Sequence, residues 1–395
     1  MKKLLSLALV LSLALTMALP AFAAAPAKLK VWGAQDDQAI LQEMVESFKA
    51  AHPDVAVEVE FGVVGEPDAK TKYLEDPAAA ADVFAFAGDQ LMDLVAAGAL
   101  YEVTLNREAI EAANSPGSIE AATINGTLYA YPMTADNGYF LYYDKSVISE
   151  EQVKTLDGIL EAANAAGQKV MMDVSNGWYI ASFFLGAGGK LGLDAEGNQT
   201  CDFNNERGVA AGEAIKAFTA NDAFMTGDVN TMLPGSMGDT IAAGVAGTWL
   251  AEGIQAKLGD NYAATKLPTF TMAGEQVQMA SFAGYKLMGV NSLTEYPEEA
   301  MALAEWFTNE ENQIKRFETR ALGPANSNAA ASEAVKANVA LGALAEQSAF
   351  AVPEKDVRGN YWTPAEAFGT TMEAKDYSKD VKTLLDEMVA AITAK

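Results

Sequence analysis

Residue types that make and break bonds are scarce in this chain, whereas those that stack and hydrogen-bond gather at the ends of its apolar runs. His52 is the only histidine and Cys201 the only cysteine among 395 residues. Triads and Cys–His pairs therefore lack a credible base, and zinc sites built on several His or Cys residues are excluded. His52 precedes Pro53 at the expected end of a helix, and a helix-terminal role accounts for it. One cysteine forms no intrachain disulfide; an oxidising compartment permits disulfides without requiring them. Acids, amides and aromatics remain: Asp36 and Asp37, Phe86 and Asp89, Asp136 and Asn137, Asn176 with Trp178 and Tyr179, and Trp249. Such rings cover apolar faces, and carboxylates make the stronger, charge-assisted hydrogen bonds.

These residues need elements to hold them. Residues 29–32 read as a strand, followed by a loop over 33–37. Ile40, Leu41, Met44, Val45 and Phe48 recur at helical spacing, and Val55, Val57 and Val59 alternate as a strand. Strand, helix and strand in this order make an α/β unit with parallel pairing. Ligands bind beyond the carboxyl ends of such strands, which places Asp36 and Asp37 at the mouth of the sheet. Capping of the following helix explains the same two acids equally well. Residues 66–76 read as an exposed connection or short helix. Residues 83–86 form the next buried strand, and Asp89 is expected to cap a helix over 91–97 that Gly98 ends. Phe86 and Asp89 thus lie at a second strand end, near the first.

The Asn125-Gly126 pair signals a tight hairpin turn. A strand follows over 128–131, and Pro132 is expected to end its ladder by removing a donor. Residues 139–143 read as another strand. The small and polar residues 134–138 between them suit a crossover between two lobes, with Asp136 and Asn137 where a ligand would sit. A helical pattern over 148–166 ends at Gly167, and a strand over 169–174 leads into a loop over 175–179. Trp178 and Tyr179, adjacent aromatics in a polar loop off a strand end, favour ligand contact over pure core. The cluster Gly186 to Gly189 lacks P-loop spacing and reads as a plain loop. The acids between Leu193 and Asn198 miss EF-hand spacing. Trp249 ends a small-residue strand over 242–248. Residues 280–290 recross toward the first lobe, carrying Lys286 either as an exposed edge charge or as the buried partner of an acid. Trp306 sits at core spacing on a helix over 300–307. A third passage over 322–325, an Ala-rich helix over 332–350, a loop over 358–364 and a last helix over 381–392 complete the chain. No internal repeat is present.

Several stretches resemble the maltose/maltodextrin-binding proteins, the extracytoplasmic solute receptors of ABC importers. They are Leu29-Lys30-Val31-Trp32, Ala81-Asp82-Val83-Phe84-Ala85-Phe86, Asn125-Gly126-Thr127-Leu128-Tyr129-Ala130-Tyr131-Pro132, Ala246-Gly247-Thr248-Trp249 and Asn360-Tyr361-Trp362. The resemblance covers nearly the whole mature chain. It implies an α/β, two-lobed periplasmic-binding-protein fold of type II-like form, each lobe a mixed sheet flanked by helices and joined by crossover hinge segments. The lobes expected are 25–135 with 283–331, and 136–282 with 332–395. The resemblance further implies that Trp249 and Trp362 stack on sugar and that Asp89 matches a sugar-binding acid. Phe86 stands where relatives often have a stacking Trp, and serves either as platform or as core. Asn176 replaces an acid in the family's Glu-Pro-Tyr type platform. The site expected has Trp178, Tyr179, Trp249 and Trp362 on one lobe facing Asp36, Asp37, Asp89 and Asp136 on the other.

Residues 1–24 carry Lys2 and Lys3, an apolar run and Ala21-Phe22-Ala23, the pattern of a secretory signal peptide. No cysteine stands at the expected cut, so a lipid anchor has no attachment point there. No other run is apolar enough to span a bilayer, and a soluble mature protein, in the periplasm or at the cell surface, is expected. The formal charge is −26, with 27 Lys and Arg against 53 Asp and Glu; loss of Lys2 and Lys3 takes it to about −28. That charge opposes binding to nucleic acid or anionic lipid. The expectation is a monomeric receptor that binds a malto-oligosaccharide without altering it, needs no cofactor, and docks on a membrane permease. Two rivals stand beside it: an extracellular glycosidase with paired carboxylates, and a receptor for another ligand such as a different sugar or a polyamine.

Overall fold

The structure, a computed structural model, describes residues 25–394; the expected signal peptide lies outside them. Two mixed sheets, each with its own buried core, organise the chain. In the first, Ala27–Gly33 pairs in parallel with both Val57–Val63 and Val83–Ala87. The amphipathic helix Gln38–Ala51 joins the first two strands and buries Ile40, Leu41, Met44, Val45 and Phe48, the five residues at helical spacing. Ser281–Val290 runs antiparallel to Val83–Ala87 and to Ala130–Gly138, and pairs in parallel with Ala351–Pro353. The second sheet has the order Phe224–Met225, Lys169–Met171, Ile241–Ala246, Phe140–Asp144, Tyr262–Thr265. Its first three strands are parallel, and Phe140–Asp144 is antiparallel to both neighbours. Mixed sheets covered by helices give the two-lobed α/β form.

Core membership changes three times along the chain. It passes from the first core to the second between Met133 and Tyr139, returns between Phe282 and Leu287, and passes again between Phe307 and Ala340. The first and third passages lie together: the Ala135 N–H donates to the Gly323 carbonyl at 2.9 Å.

Several local expectations meet a different outcome. Pro132 does not end its ladder. The strand Ala130–Gly138 runs through it, with Pro132 opposite Leu287 beside a register irregularity, and the Pro132 carbonyl accepts from Gln313 Nε2 at 3.2 Å. Residues 134–138 are therefore strand. The Ala-rich stretch is broken into Glu333–Lys336 and Val339–Ser348, because Asn338 caps the second helix. Trp178 and Tyr179 belong to the first turn of the helix Gly177–Gly186, whose N-cap is Asn176, its side chain accepting from the Trp178 N–H at 2.9 Å. Trp362 likewise opens the helix Trp362–Glu373, with Pro364 in the first turn, where no intrahelical donor is needed. Trp306 packs against Phe48 and His52 and donates to the Met44 carbonyl at 2.9 Å.

Candidate functional site

A cleft of about 400 Å³ collects Trp178, Tyr179, Trp249 and Trp362 with Asp89, Asn137 and Asn176. Three indoles, 71 and 113 residues apart in sequence, thus share one opening. Helix packing brings two of them together. A β-carbon at Gly177 would lie 3.2 Å from Ala365 Cβ and 3.3 Å from the Trp362 carbonyl, so the helices Gly177–Gly186 and Trp362–Glu373 approach closely there. Trp178 is fixed by edge contacts to Tyr139 and Tyr179, with ring centroids 4.5 and 5.2 Å away. Trp362 stands edge-on to Phe282 at 6.0 Å. Trp249 lies 6.0 Å from Trp178 and donates its indole N–H to Asn230 Oδ1 at 3.1 Å. Asn230 is presented by the helix Val229–Ser236, which Asp228 caps.

Five of the twelve candidate residues lie elsewhere. Asp37 is buried, with its carboxylate paired to Arg316 and Arg320. Two guanidiniums of a distant helix claim both its oxygens, so it is a structural acid. Asp36 is exposed and reaches only Arg320, at 3.4 Å; neither acid makes a side-chain cap. Phe86 is fully buried in the first core, its ring 5.8 Å from Phe84; of its two readings the structure selects core. Tyr361 is also fully buried, and its hydroxyl donates to the Gly177 carbonyl at 2.9 Å. Asp136 is 1 % exposed and lies behind the cleft, its Oδ2 accepting from the Thr248 hydroxyl and the Gly323 N–H, both at 2.7 Å. It joins the first and third polypeptide passages to the turn that carries Trp249. Of the four acids expected to face the aromatics, Asp89 alone lines the cleft. It makes no helix cap: the short turn Gly88–Gln90 and the helix Leu91–Ala96 both lack a side-chain cap bond.

Glu354 completes the lining and had no signal in the sequence. It sits in the turn Glu354–Asp356, is 4 % exposed, and accepts from Asn137 Nδ2 at 2.9 Å. Burial raises its pKa well above the usual carboxylate range and the charge of Asp89 adds to the rise, against the pull of Asn137 and Trp178. Burial likewise raises Asp89 to about 7, although Lys70 opposes the rise. Both carboxyls of the cleft are thus raised by burial, which favours their protonated forms. The Trp178 indole N–H acts on the Glu354 carboxylate, which it helps hold down, without closing a well-formed hydrogen bond. Gln90 holds the Asp89 turn in place, donating from Nε2 to the carbonyls of Glu66 and Pro67 at 2.8 Å. Asp173, Asp228 and Glu366 also line the cleft, which has neither Lys nor Arg among its lining residues. Lys286, left open between two roles, proves to be a buried partner of Glu66 at 3.8 Å. Cys201 lies away from the cleft, and burial pushes its thiol up to about 12.

Comparison with known proteins identifies the family. The profile of the bacterial extracellular solute-binding proteins matches residues 43–343. The galactooligosaccharide-binding protein of Bacillus subtilis (strain 168) is 28 % identical over 390 residues, covering 93 % of this chain and 89 % of that protein. A chain solved with acarbose is 30 % identical, with a TM-score of 0.85 over 93 % of this chain and 99 % of that one. The maltodextrin-binding protein of L. casei BL23, solved without ligand, is 27 % identical, with a TM-score of 0.78 over 94 % of this chain and all of its own. The named relatives are binding proteins.

Proposed function

From the premise that this chain belongs to the bacterial extracellular solute-binding proteins, we propose that it captures a malto-oligosaccharide or a related oligosaccharide and releases it unchanged to an ABC permease. The observation that carries this reading is the single cleft in which Trp178, Trp249 and Trp362 meet the Asp89–Glu354 pair. An indole covers the C–H face of a pyranose, removing apolar surface from water at roughly 25 cal/mol per Å². Hydroxyls both donate and accept. The Asp89 and Glu354 carboxyls, both raised by burial, offer acceptors and, where protonated, donors, and the Trp178 N–H beside Glu354 offers a further donor. Asn137, Asn176 and Tyr179 complete the proposed contact set.

The proposed lobes are 25–135 with 283–331, and 136–282 with 332–395, closing by hinge motion on the ligand. Calorimetry with maltose, maltotriose, longer glucans and galacto-oligosaccharides tests the proposal, with chromatography to check that each sugar is recovered intact. Heat with none of them removes the oligosaccharide reading, and product formation would favour a glycosidase. The carboxylates of a cleft lined by no Lys or Arg favour one second reading, a cationic ligand such as a polyamine. Stabilisation by spermidine without stabilisation by any sugar would select it.

A further inference from the structure

We propose that Lys286 is a positioning residue for Trp249, setting the plane of the indole and tying it to the strand that recrosses between the cores. The inference rests on the reading of Trp249 as a ligand-stacking ring. Lys286 lies on Ser281–Val290, 9 % exposed, where the pairing with Ala130–Gly138 is irregular on both sides of it. That double irregularity aims a charged side chain inward from an apolar strand. Its Nζ lies over the Trp249 ring, 5.5 Å from the centroid, and 3.8 Å from Glu66 Oε1.

The other sides of the ring are also fixed. A β-carbon at Gly247 would overlap the six-membered ring of Trp249, and the Gly247 carbonyl is held by the Tyr142 hydroxyl at 3.0 Å. Asn230 takes the indole N–H. Lys286 is thus the cationic member of a three-sided mount. Burial lowers the pKa of its ammonium, but Glu66, Asp136 and Asp37 raise it more, so the group stays charged and able to hold an aromatic face. Glu66 alone, at 3.8 Å and without a hydrogen bond, is a loose partner for a buried cation.

The test uses Lys286→Met, which keeps length without charge, and Lys286→Arg, which keeps the charge and stacks on rings. A Glu66→Gln/Lys286→Met double variant also removes the acid nearest the ammonium and guards against misfolding. Each is compared in the wild-type and Trp249→Leu backgrounds, by calorimetry with maltotriose and by near-ultraviolet circular dichroism. In the wild-type background, Lys286→Met and the double variant should weaken binding roughly tenfold, the size of a desolvated cation–ring contact. They should also change the indole signal, and Lys286→Arg should restore both. In the Trp249→Leu background the same changes should move neither quantity. Equal losses in both backgrounds, or an unaltered indole signal, would overturn the inference. If the wild-type protein binds no sugar, the ligand reading fails, and the dichroism comparison alone decides whether Lys286 sets the ring.

Discussion

Asn137 donates its side-chain amide to Glu354 Oε2 at 2.9 Å, joining the first passage between the cores to the turn after Ala351–Pro353. The bond forms where space is tight. A β-carbon at Gly284 would run into the Glu354 carboxylate and lie 3.1 Å from Asn137 Nδ2. Asp89 lines the same cleft and its charge raises Glu354, so a pH dependence is expected.

Burial raises Asp89 from 3.8 to about 7, and Glu354 shifts the same way. In the unfolded chain both return to ordinary values. Between about 4 and 7 the folded state therefore holds more protons than the unfolded one, and stability falls as pH rises through this range. Asp89→Asn should raise the unfolding temperature at pH 8 and flatten its slope between pH 5 and 8. Scanning calorimetry of the ligand-free protein checks this. A slope equal to that of the wild type would mean that Asp89 does not titrate there.

The three indoles should separate binding from stability. Trp249→Ala and Trp362→Ala should each weaken oligosaccharide binding by about tenfold or more, with unfolding temperatures within a few degrees of wild type. Trp178→Ala should weaken binding and also destabilise, because its ring packs on Tyr139 and Tyr179. Calorimetric titration and thermal melts measure the two effects. Unchanged affinity in both Trp249→Ala and Trp362→Ala would remove the stacking argument.

Asp37→Ala should cost about 3–5 kcal/mol, since it strands the buried Arg316 beside Arg320 without a counter-charge. Binding by the folded fraction should be unchanged, since Asp37 does not line the cleft. Urea unfolding together with titration tests both halves. A loss of affinity larger than the loss of folded protein would return Asp37 to the ligand.

Asp136→Ala should destabilise by roughly 1–3 kcal/mol for each of the two donors it leaves buried, the Thr248 hydroxyl and the Gly323 N–H. Asp136→Asn keeps an acceptor and should recover part of that loss in the same unfolding measurement. Equal losses in the two variants would show that the charge of Asp136, and not its hydrogen bonding, is what the passages require.

Features with local causes were legible in the sequence. Asn125 and Gly126 take φ values of 50° and 81°, as a two-residue hairpin turn demands. The last helix spans Val381–Ile392 because its apolar period and its cap are both short-range signals. Trp178 stood out as an indole in a polar loop off a strand end and Trp249 at the end of a small-residue strand, whereas Trp362 was marked by the family resemblance alone. Features with distant causes were not legible. Asp37 meets Arg316 279 residues away, and nothing near either residue marks the pairing. Pro132 survives within a strand because the pairing on the facing strand slips beside it. Glu354 looks like any surface acid until Asn137, 217 residues away, and Asp89 close over it.

The threefold exchange of chain between the two cores bears on how the protein is made. The first core waits for Leu287, Met288 and the helix Pro297–Thr308, and the second waits for Val381–Ile392. A chain released only to residue 280 has finished neither core, so the contacts that close both are long-range and form late.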